Sequence, residues 1–240
     1  MTIITTTGMT PPPPGIEAGL LRLAQILSPA FPVGGFAYSH GLEWVIRAGD
    51  IHDAGSLAEW LAEVLEHGAG RNDAILIAAT LALPDDADDS AFATLGDLAR
   101  ALAASPERDG ESMAMGAALG ATLAGMRARG ETQEERTSAP PPLPWPIALG
   151  RAARGLGLPP RLVCALALQA FASNLVTIAV RFVPLGQTEG QRVLADLAPL
   201  IGRLAEEAAQ ADLGGLGGAA FRGDLAAQLH ETMQPRIFRT

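Results

Sequence analysis

Apolar residues recur along most of this chain with the spacing of helices that bury one face. Leu20, Leu23, Ala24 and Leu27 show that spacing near the N-terminus, and similar patterns continue to the end of the sequence. The predicted helices cover residues 16–27, a segment ending near 48, 56–84, 90–104, 111–127, 146–154, 159–182, 188–210 and 224–232. No segment shows the sustained alternation of a strand. The pattern predicts an all-α fold of about eight to ten helices with no significant sheet.

Proline, glycine and polar runs divide the chain between these helices. Residues 1–15, MTIITTTGMTPPPPG, have neither the basic nor the apolar part of a secretory signal and are predicted to form a disordered arm. The proline-rich stretch near 131–146 is interpreted as a long loop, since neither side has an obviously self-sufficient core. Residues 16–240 are therefore predicted to be one domain. LGGLGG at 213–218 is predicted to be a hinge before a C-terminal tail, residues 229–240.

Two local signals place helix ends in the first third of the chain. Gly49 is expected to end the second helix in the left-handed conformation. Ser56 is expected to cap the third helix, with Glu59 completing a capping box.

Composition excludes several classes of function. Hydrophobic residues make up 48% of the chain and aromatic residues 5%, so alanine and leucine dominate the apolar content. The net charge of −9 and an isoelectric point near 4.9 argue against a nucleic-acid-binding protein. Lysine is absent, which removes Schiff-base and P-loop chemistry. A single cysteine, Cys164, permits no disulfide framework and fits a cytoplasmic location.

The strongest candidate for a membrane span is the uncharged run 162–180. Gln169, Ser173 and Thr177 recur in it every fourth residue, with Asn174 beside them, so one face is polar. We interpret the run as a buried helix of a soluble protein rather than a membrane helix. Its polar stripe and the face carrying Gly116 and Gly120 are two candidate surfaces for a homodimer.

The stretch SPAFPVGGFAYSHGLEW at 28–44 has features of a phosphate-binding or metal-binding site. Its glycine pair fits no phosphate-binding motif and is interpreted as a turn into the next helix. On that helix His40, Glu43 and Arg47 share one face, which predicts a solvated surface with a Glu43–Arg47 ion pair. The alternative is a pair of ligands for a metal or a small molecule. Tyr38, Leu42, Val45 and Ile46 are expected to pack inward.

Nothing else in the sequence points to catalysis. The histidines are scattered, at His40, His52, His67 and His230, so no metal site is predicted. Cys164 lies in an apolar helix, where a thiolate is disfavoured. No catalytic residue is predicted.

The end of the chain is unusual for a terminus. HETMQPRIFRT places two arginines around Ile237 and Phe238, a composition suited to docking on another protein. The alternative is that the tail folds back and buries Phe238 in the core of this chain.

Four stretches occur in an order that resembles the urease accessory protein F family: LSPAFPVGGFAYSHGLEW, ESMAMG at 111–116, SNLVTIAVRFVPLGQTEGQ at 173–191 and HETMQPRIFRT. The matching positions in the first, third and fourth are Pro32, Gly34, Gly35, Gly41, Leu42, Glu43, Ser173, Asn174, Arg181, Pro184, Gly186, Gln187, Gln191, His230, Glu231, Thr232, Arg236, Phe238 and Arg239. The chain departs from the family at Pro106, Ala114 and Met233-Gln234-Pro235.

The resemblance implies an all-α homodimer without catalysis of its own. Family members bind accessory protein D (also called H) and the GTPase G, and the complex delivers nickel to apo-urease in a GTP-dependent reaction. No cofactor is then expected on this chain, since nickel is handled by the complex. Its partner-docking residues would be His230, Glu231, Thr232, Arg236, Phe238 and Arg239, in a tail that becomes ordered against protein D.

Two hypotheses make different structural predictions. The scaffold hypothesis expects Arg236 and Phe238 to be exposed or mobile in the isolated protein. The alternative, a small helical ligand-binding protein or enzyme that uses the face of His40 and Glu43, expects an enclosed pocket with perturbed titratable groups around His40.

Overall fold

The structure, a computed structural model, describes residues 15–127 and 141–239, and within them every regular element is helical. The predicted N-terminal arm, except Gly15, and most of the predicted proline-rich loop lie outside the described residues. The α-helices are α1 Ile16–Leu27, α2 Leu42–Ala48, α3 Ala54–His67, α4 Ala69–Leu81, α5 Asp89–Ala101, α6 Pro106–Arg127, α7 Trp145–Ala153, α8 Pro160–Phe182, α9 Gln187–Gln210 and α10 Phe221–Glu231. Short 3₁₀ turns cover Gly35–Ala37 and Leu213–Gly215. The prediction of an all-α fold is confirmed.

Helix α8 is the centre of the arrangement. It forms a long hairpin with α9 and also contacts α1, α2, α3, α4 and the 3₁₀ turn Gly35–Ala37. Gly190 allows the two helices of the hairpin to pack closely, since any side chain at this position would run into Val180 and Val176. A second, smaller core cluster joins α4, α5 and α7.

The apolar run in α8 is long and apolar enough to cross a membrane, and it is the one such helix in the part of the chain that the structure describes. Its packing against five other helices is that of a core helix. Of the predicted polar stripe, Gln169 and Ser173 are half-buried and Thr177 is exposed. The Thr177 hydroxyl donates to the Ser173 carbonyl at 2.8 Å. Asn174 faces inward and donates to the carbonyls of Gly35 and Tyr38.

Several helix ends differ from the sequence-based expectation. Asp53, not Ser56, caps α3, and Ser56 completes the capping box in place of Glu59. The predicted helix 56–84 is interrupted at Gly68, whose non-helical backbone (φ −124°, ψ −142°) separates α3 from α4. Helix α6 begins at Pro106 rather than near 111, because the Ser105 hydroxyl accepts from the Arg108 amide and proline suits the first helical position.

The glycine-rich stretch 213–218 is not the loose hinge that its composition suggested. The Arg71 guanidinium donates to the Gly215 carbonyl, and the Gly217 amide donates to Asn72 at 3.1 Å. The Ala219 amide donates to the His67 carbonyl at 3.0 Å. These bonds fix the position from which α10 starts.

One of the two candidate dimer surfaces is used within the chain. Gly116 lies directly against the Leu143 carbonyl, where a side chain would clash, and this contact seats α6 on the segment that leads into α7. Gly120, one turn further along α6, has open space beside it.

Candidate functional site

Three distant parts of the sequence meet at the start of α2. His40 and Gly41 have positive φ angles of 54° and 77° and turn the chain into this helix. A side chain on Gly41 would lie 2.6 Å from the Ala227 amide nitrogen, so α10 packs directly on the backbone of the turn. The start of α6 closes the third side.

Glu43 is the central group of this meeting point. Its side chain is only 10% exposed. The carboxylate accepts hydrogen bonds from the backbone amides of Ile237 and Phe238, at 2.8 and 2.9 Å, and lies 3.1 Å from Nε2 of His230. A buried carboxylate is thus satisfied by donors from the last residues of the chain.

Further contacts hold residues 232–239, here called the docked tail, along α2. Arg47 donates to the carbonyls of Gln234 and Pro235, each at 3.1 Å. The Arg239 amide donates to the Ala37 carbonyl at 2.9 Å. Phe238 is 7% exposed and packs edge-on against Phe182, with ring centroids 5.5 Å apart. The tail is therefore anchored by its backbone and by one aromatic ring.

The end of α10 is tied to the start of α6 by charged groups. His230 is fully buried, and its Nδ1 lies 3.7 Å from Oε2 of Glu107, too far for a good hydrogen bond. Glu231 accepts from the Glu107 amide at 3.2 Å. Arg236 forms an ion pair with the other oxygen of Glu107. The first turn of α6 thus holds both α10 and the docked tail.

These contacts correct three sequence-based expectations. His40 precedes α2, and neither it nor Glu43 faces solvent. The predicted ion pair between Glu43 and Arg47 does not form, because each side chain binds the tail instead. Phe238 is buried rather than exposed, which confirms the alternative that the tail folds back. Arg236 keeps 38% of its side chain exposed while paired with Glu107.

A second buried cluster lies beside the first. His40 Nε2 is 2.8 Å from Oε1 of Glu111 and 3.0 Å from Nη1 of Arg108, and Arg108 also pairs with Glu111. Nε2 can donate to Glu111 in one neutral tautomer and accept from Arg108 in the other. Sequence reasoning did not single out Arg108, whose partnership with Glu111 depends on α6 starting early enough to place both on one face.

Burial and charge set the protonation of this cluster. Burial and the charge of Arg108 lower the pKa of His40, although Glu111 opposes them. Burial would raise the pKa of Glu111, but Arg108 and His40 outweigh it and lower that pKa to about 2. Near neutral pH the cluster therefore holds a neutral imidazole between a guanidinium and a carboxylate.

The cluster opens onto a cleft of about 690 Å³. Asp73 lines this cleft, and burial raises the pKa of its carboxyl to about 7. Three residues of the third family stretch, Ser173, Asn174 and Arg181, line the same cleft. The cleft agrees with what the ligand-binding hypothesis expected around His40. Sequence analysis did not single out Asp73, because the local pattern of α4 does not show that a cleft lies against it.

Other sequence-predicted residues lie apart from these clusters or support the backbone. Four residues of the third family stretch are exposed at and after the turn from α8 to α9: Pro184, Gly186, Gln187 and Gln191.

The remaining residues of the first family stretch support the backbone or the core. Pro32 is exposed, and Gly34 precedes the 3₁₀ turn with a φ of 75°. Leu42 is buried in the core. Gly35 supplies a carbonyl to Asn174. The exposed Thr232 donates to the Leu229 carbonyl.

The described part of the chain offers little for metal or thiol chemistry. In residues 15–127 and 141–239, no three His, Cys, Asp or Glu side chains are placed to hold a metal ion. Burial raises the pKa of Cys164 to about 12, and its thiol donates to the Ala74 carbonyl at 3.3 Å. Cys164 is therefore a core residue.

Glu43→Gln should loosen the docked tail while leaving the helices intact. The amide keeps one acceptor oxygen but loses the charge, and charge-assisted hydrogen bonds contribute about 1.5–3 kcal/mol each. We expect trypsin to release the peptide that begins at Ile237 roughly tenfold faster than from the unmodified protein. Glu59→Gln, at an exposed position of α3, is the control. Equal release rates for Glu43→Gln and the unmodified protein would contradict the assignment.

Asp73→Asn should stabilise the fold at about pH 8. Burial raises the pKa of Asp73 from 3.8 to about 7, so between these values the folded state holds a proton that the unfolded state has released. Stability of the unmodified protein therefore falls as the pH rises through that window. The amide removes this loss, which is at most about 4 kcal/mol at pH 8 and close to zero near pH 4.

Urea unfolding of Asp73→Asn across that pH range measures the effect, with Asp196→Asn on the exposed side of α9 as the control. A gain in stability that is the same at both ends of the range would contradict the raised pKa.

Comparison with known proteins identifies the family. The family model for UreF matches residues 51–198. The urease accessory protein UreF of Cereibacter sphaeroides (strain ATCC 17029 / ATH 2.4.9) is 55% identical over 225 residues, which cover 94% of this chain and 100% of that protein. Those of Jannaschia sp. (strain CCS1) and Methylobacterium radiotolerans are 46% and 44% identical, over 94% and 96% of this chain and 96% and 100% of those proteins. This chain therefore belongs to the UreF family of urease accessory proteins.

Proposed function

We propose that this protein is a non-catalytic scaffold in urease maturation. In this proposal it acts in the cytoplasm as a homodimer and binds accessory protein D (H) and the GTPase G. The assembly then inserts nickel into apo-urease in a GTP-dependent reaction. Nickel is the cargo of the assembly and is not held as a resident cofactor of this chain. Membership of the UreF family supports the role in urease maturation.

The observation that carries the proposal is the docked tail. Glu43 and Arg47 fix its backbone, whereas the side chain of Ile237 is 69% exposed and Arg239 is also exposed. A partner would therefore meet an apolar and a cationic side chain already held in place. Fixing the tail in advance lowers the entropy that binding would otherwise lose. Isoleucine and arginine exposed side by side are suited to a protein interface.

The chemistry of the buried clusters supports a structural role for them. His40 is engaged by Arg108 and Glu111, and His230 lies between Glu43 and Glu107. Both histidines join elements that are far apart in the sequence. These contacts explain the polar residues of the first and last family stretches as structural groups, and the explanation needs no substrate.

A second candidate function is ligand binding in the cleft beside His40. The specific observation in its favour is Asp73, an acid with a pKa raised to about 7 that faces a space of about 690 Å³. Asp73→Asn separates the two candidates. Full assembly of that variant with proteins D and G, together with full urease activation, supports the scaffold alone. Normal assembly with failed activation supports a role for the cleft.

Removing residues 233–240 should abolish binding of proteins D and G while preserving the helical fold. This truncation retains His230 and Glu231, so α10 keeps its contact with Glu43 of α2 and its hydrogen bond from the Glu107 amide of α6. Co-purification of the three proteins and the far-UV circular dichroism signal measure the two effects. Removal of residues 1–14 is the control and should leave assembly unchanged. Assembly of the complex by the 233–240 truncation would contradict the proposal.

A further inference from the structure

The cleft beside His40 contains an acid that stands outside the cluster of bonded charges. Asp73 lies in its wall, where several other titratable or cationic side chains also lie: His40, His67, Arg108, Glu111, Arg181 and Asp224. Arg108, Glu111 and His40 bind one another. Within residues 15–127 and 141–239, the carboxyl of Asp73 has neither a hydrogen bond nor an ion pair. Asp73 therefore shares the cleft with the cluster without being bonded to it.

Two carboxyl groups in this cleft compete for one guanidinium. Arg108 binds Glu111 and Nε2 of His40 through Nη1, and its Nε and Nη2 carry no hydrogen bond in the part of the chain that the structure describes. The charge of Arg108 also acts on Asp73. Burial raises the pKa of Asp73 to about 7, Arg108 opposes that rise, and Glu111 adds to it. An ionised Asp73 therefore attracts the guanidinium and repels the Glu111 carboxylate, whereas a neutral Asp73 leaves the cluster undisturbed.

The first turn of α6 connects this competition to the docked tail. Glu107, which precedes Arg108, pairs with Arg236 and faces Nδ1 of His230. The contact with His230 is loose, since Oε2 of Glu107 and Nδ1 are 3.7 Å apart. Both atoms are buried and have no hydrogen-bond partner among the described residues. An unsatisfied buried pair is unfavourable, so this contact offers little resistance to a small displacement of α6.

We propose that the carboxyl of Asp73 is a proton-operated switch for the docked tail. With a proton on Asp73, Arg108 stays in its cluster and the first turn of α6 holds the tail. Once the proton is lost, Arg108 turns toward Asp73, the first turn of α6 shifts with it, and the ion pair between Glu107 and Arg236 weakens. This regulation is a property of the isolated protein, so it goes beyond the proposed function and requires no partner.

The direction of the pH dependence follows from the surroundings of Asp73 in the two states. In the tight state its carboxyl is buried without an ion pair, whereas in the loose state it pairs with Arg108, which favours the ionised form. The tight state therefore binds the proton more strongly. Because a fall in pH favours the state that binds more protons, the tail is held below about pH 7 and loosens above it.

Hydrogen exchange of the Ile237 and Phe238 amides at several pH values tests the switch. Each rate is compared with that of an unstructured peptide at the same pH, which removes the chemical effect of hydroxide. Between about pH 5.5 and about pH 8.5, we expect protection of both amides to fall about tenfold in the unmodified protein, as a tenfold difference in proton affinity between the two states requires. Asp73→Asn imitates the protonated carboxyl and should keep the protection constant. The control Asp196→Asn, on the exposed side of α9, should retain the fall.

Three results would overturn the switch. One is constant protection across this pH range in the unmodified protein. Another is an equal fall in the unmodified protein and in Asp73→Asn, because a different group would then be titrating. If Asp73→Asn does not fold, NMR of the unmodified protein decides. The side-chain Nε signal of Arg108 should then shift with the same midpoint as the carboxyl carbon of Asp73, and an Arg108 signal that stays constant is the third contradicting result.

Discussion

A carboxylate removed from water must find hydrogen-bond donors, and Glu43 finds them in the last residues of the chain. Two backbone amides of the docked tail and the ring of His230 surround it. This one group connects α2, α10 and the tail, which are almost 200 positions apart in the sequence. A buried carboxylate without these donors would be costly, so the tail that covers Glu43 also has to supply the hydrogen bonds that replace water.

Helix α6 supports the same arrangement from the other side. Glu107 contacts His230 and Arg236, while Arg108 and Glu111 hold His40 at the turn before α2. Two clusters of charged groups, one under the tail and one in the cleft, therefore share the first turns of one helix. A displacement of α6 would change the tail surface and the cleft together, and this links the two candidate functions physically.

Much of the fold follows from patterns within single helices. Apolar spacing predicted α1 and the long helices α8 and α9 closely, because burial of one face decides their sequences. The helix boundaries at Asp53, Gly68 and Ser105 were harder to predict. Asp53 and Ser105 cap their helices through side-chain hydrogen bonds, and Gly68 lies close to Ala220 and Val64. The partners of Glu43 could not be predicted. The pattern on a helix shows which residues share a face, but it does not show that a distant tail covers that face.

Because a local pattern does not show what covers a helix face, the prediction of a solvated polar face in the stretch 28–44 was wrong. His40 and Glu43 were expected to face solvent because they share the polar side of the predicted helix. The helix actually starts at Leu42, and the turn before it directs His40 toward Arg108 and Glu111. Polar residues in the first and last family stretches are thus explained by mutual burial.

Hydrogen exchange at the backbone amides of Ile237 and Phe238 in the free protein tests this account most directly. These amides lie two or three residues from the end of the chain, where an unattached tail would exchange at the rate of an unstructured peptide. The account predicts protection of both amides by a factor of at least about 100, together with loss of that protection when Glu43 is replaced by alanine. Exchange of both amides at the unstructured rate in the unmodified protein would contradict it.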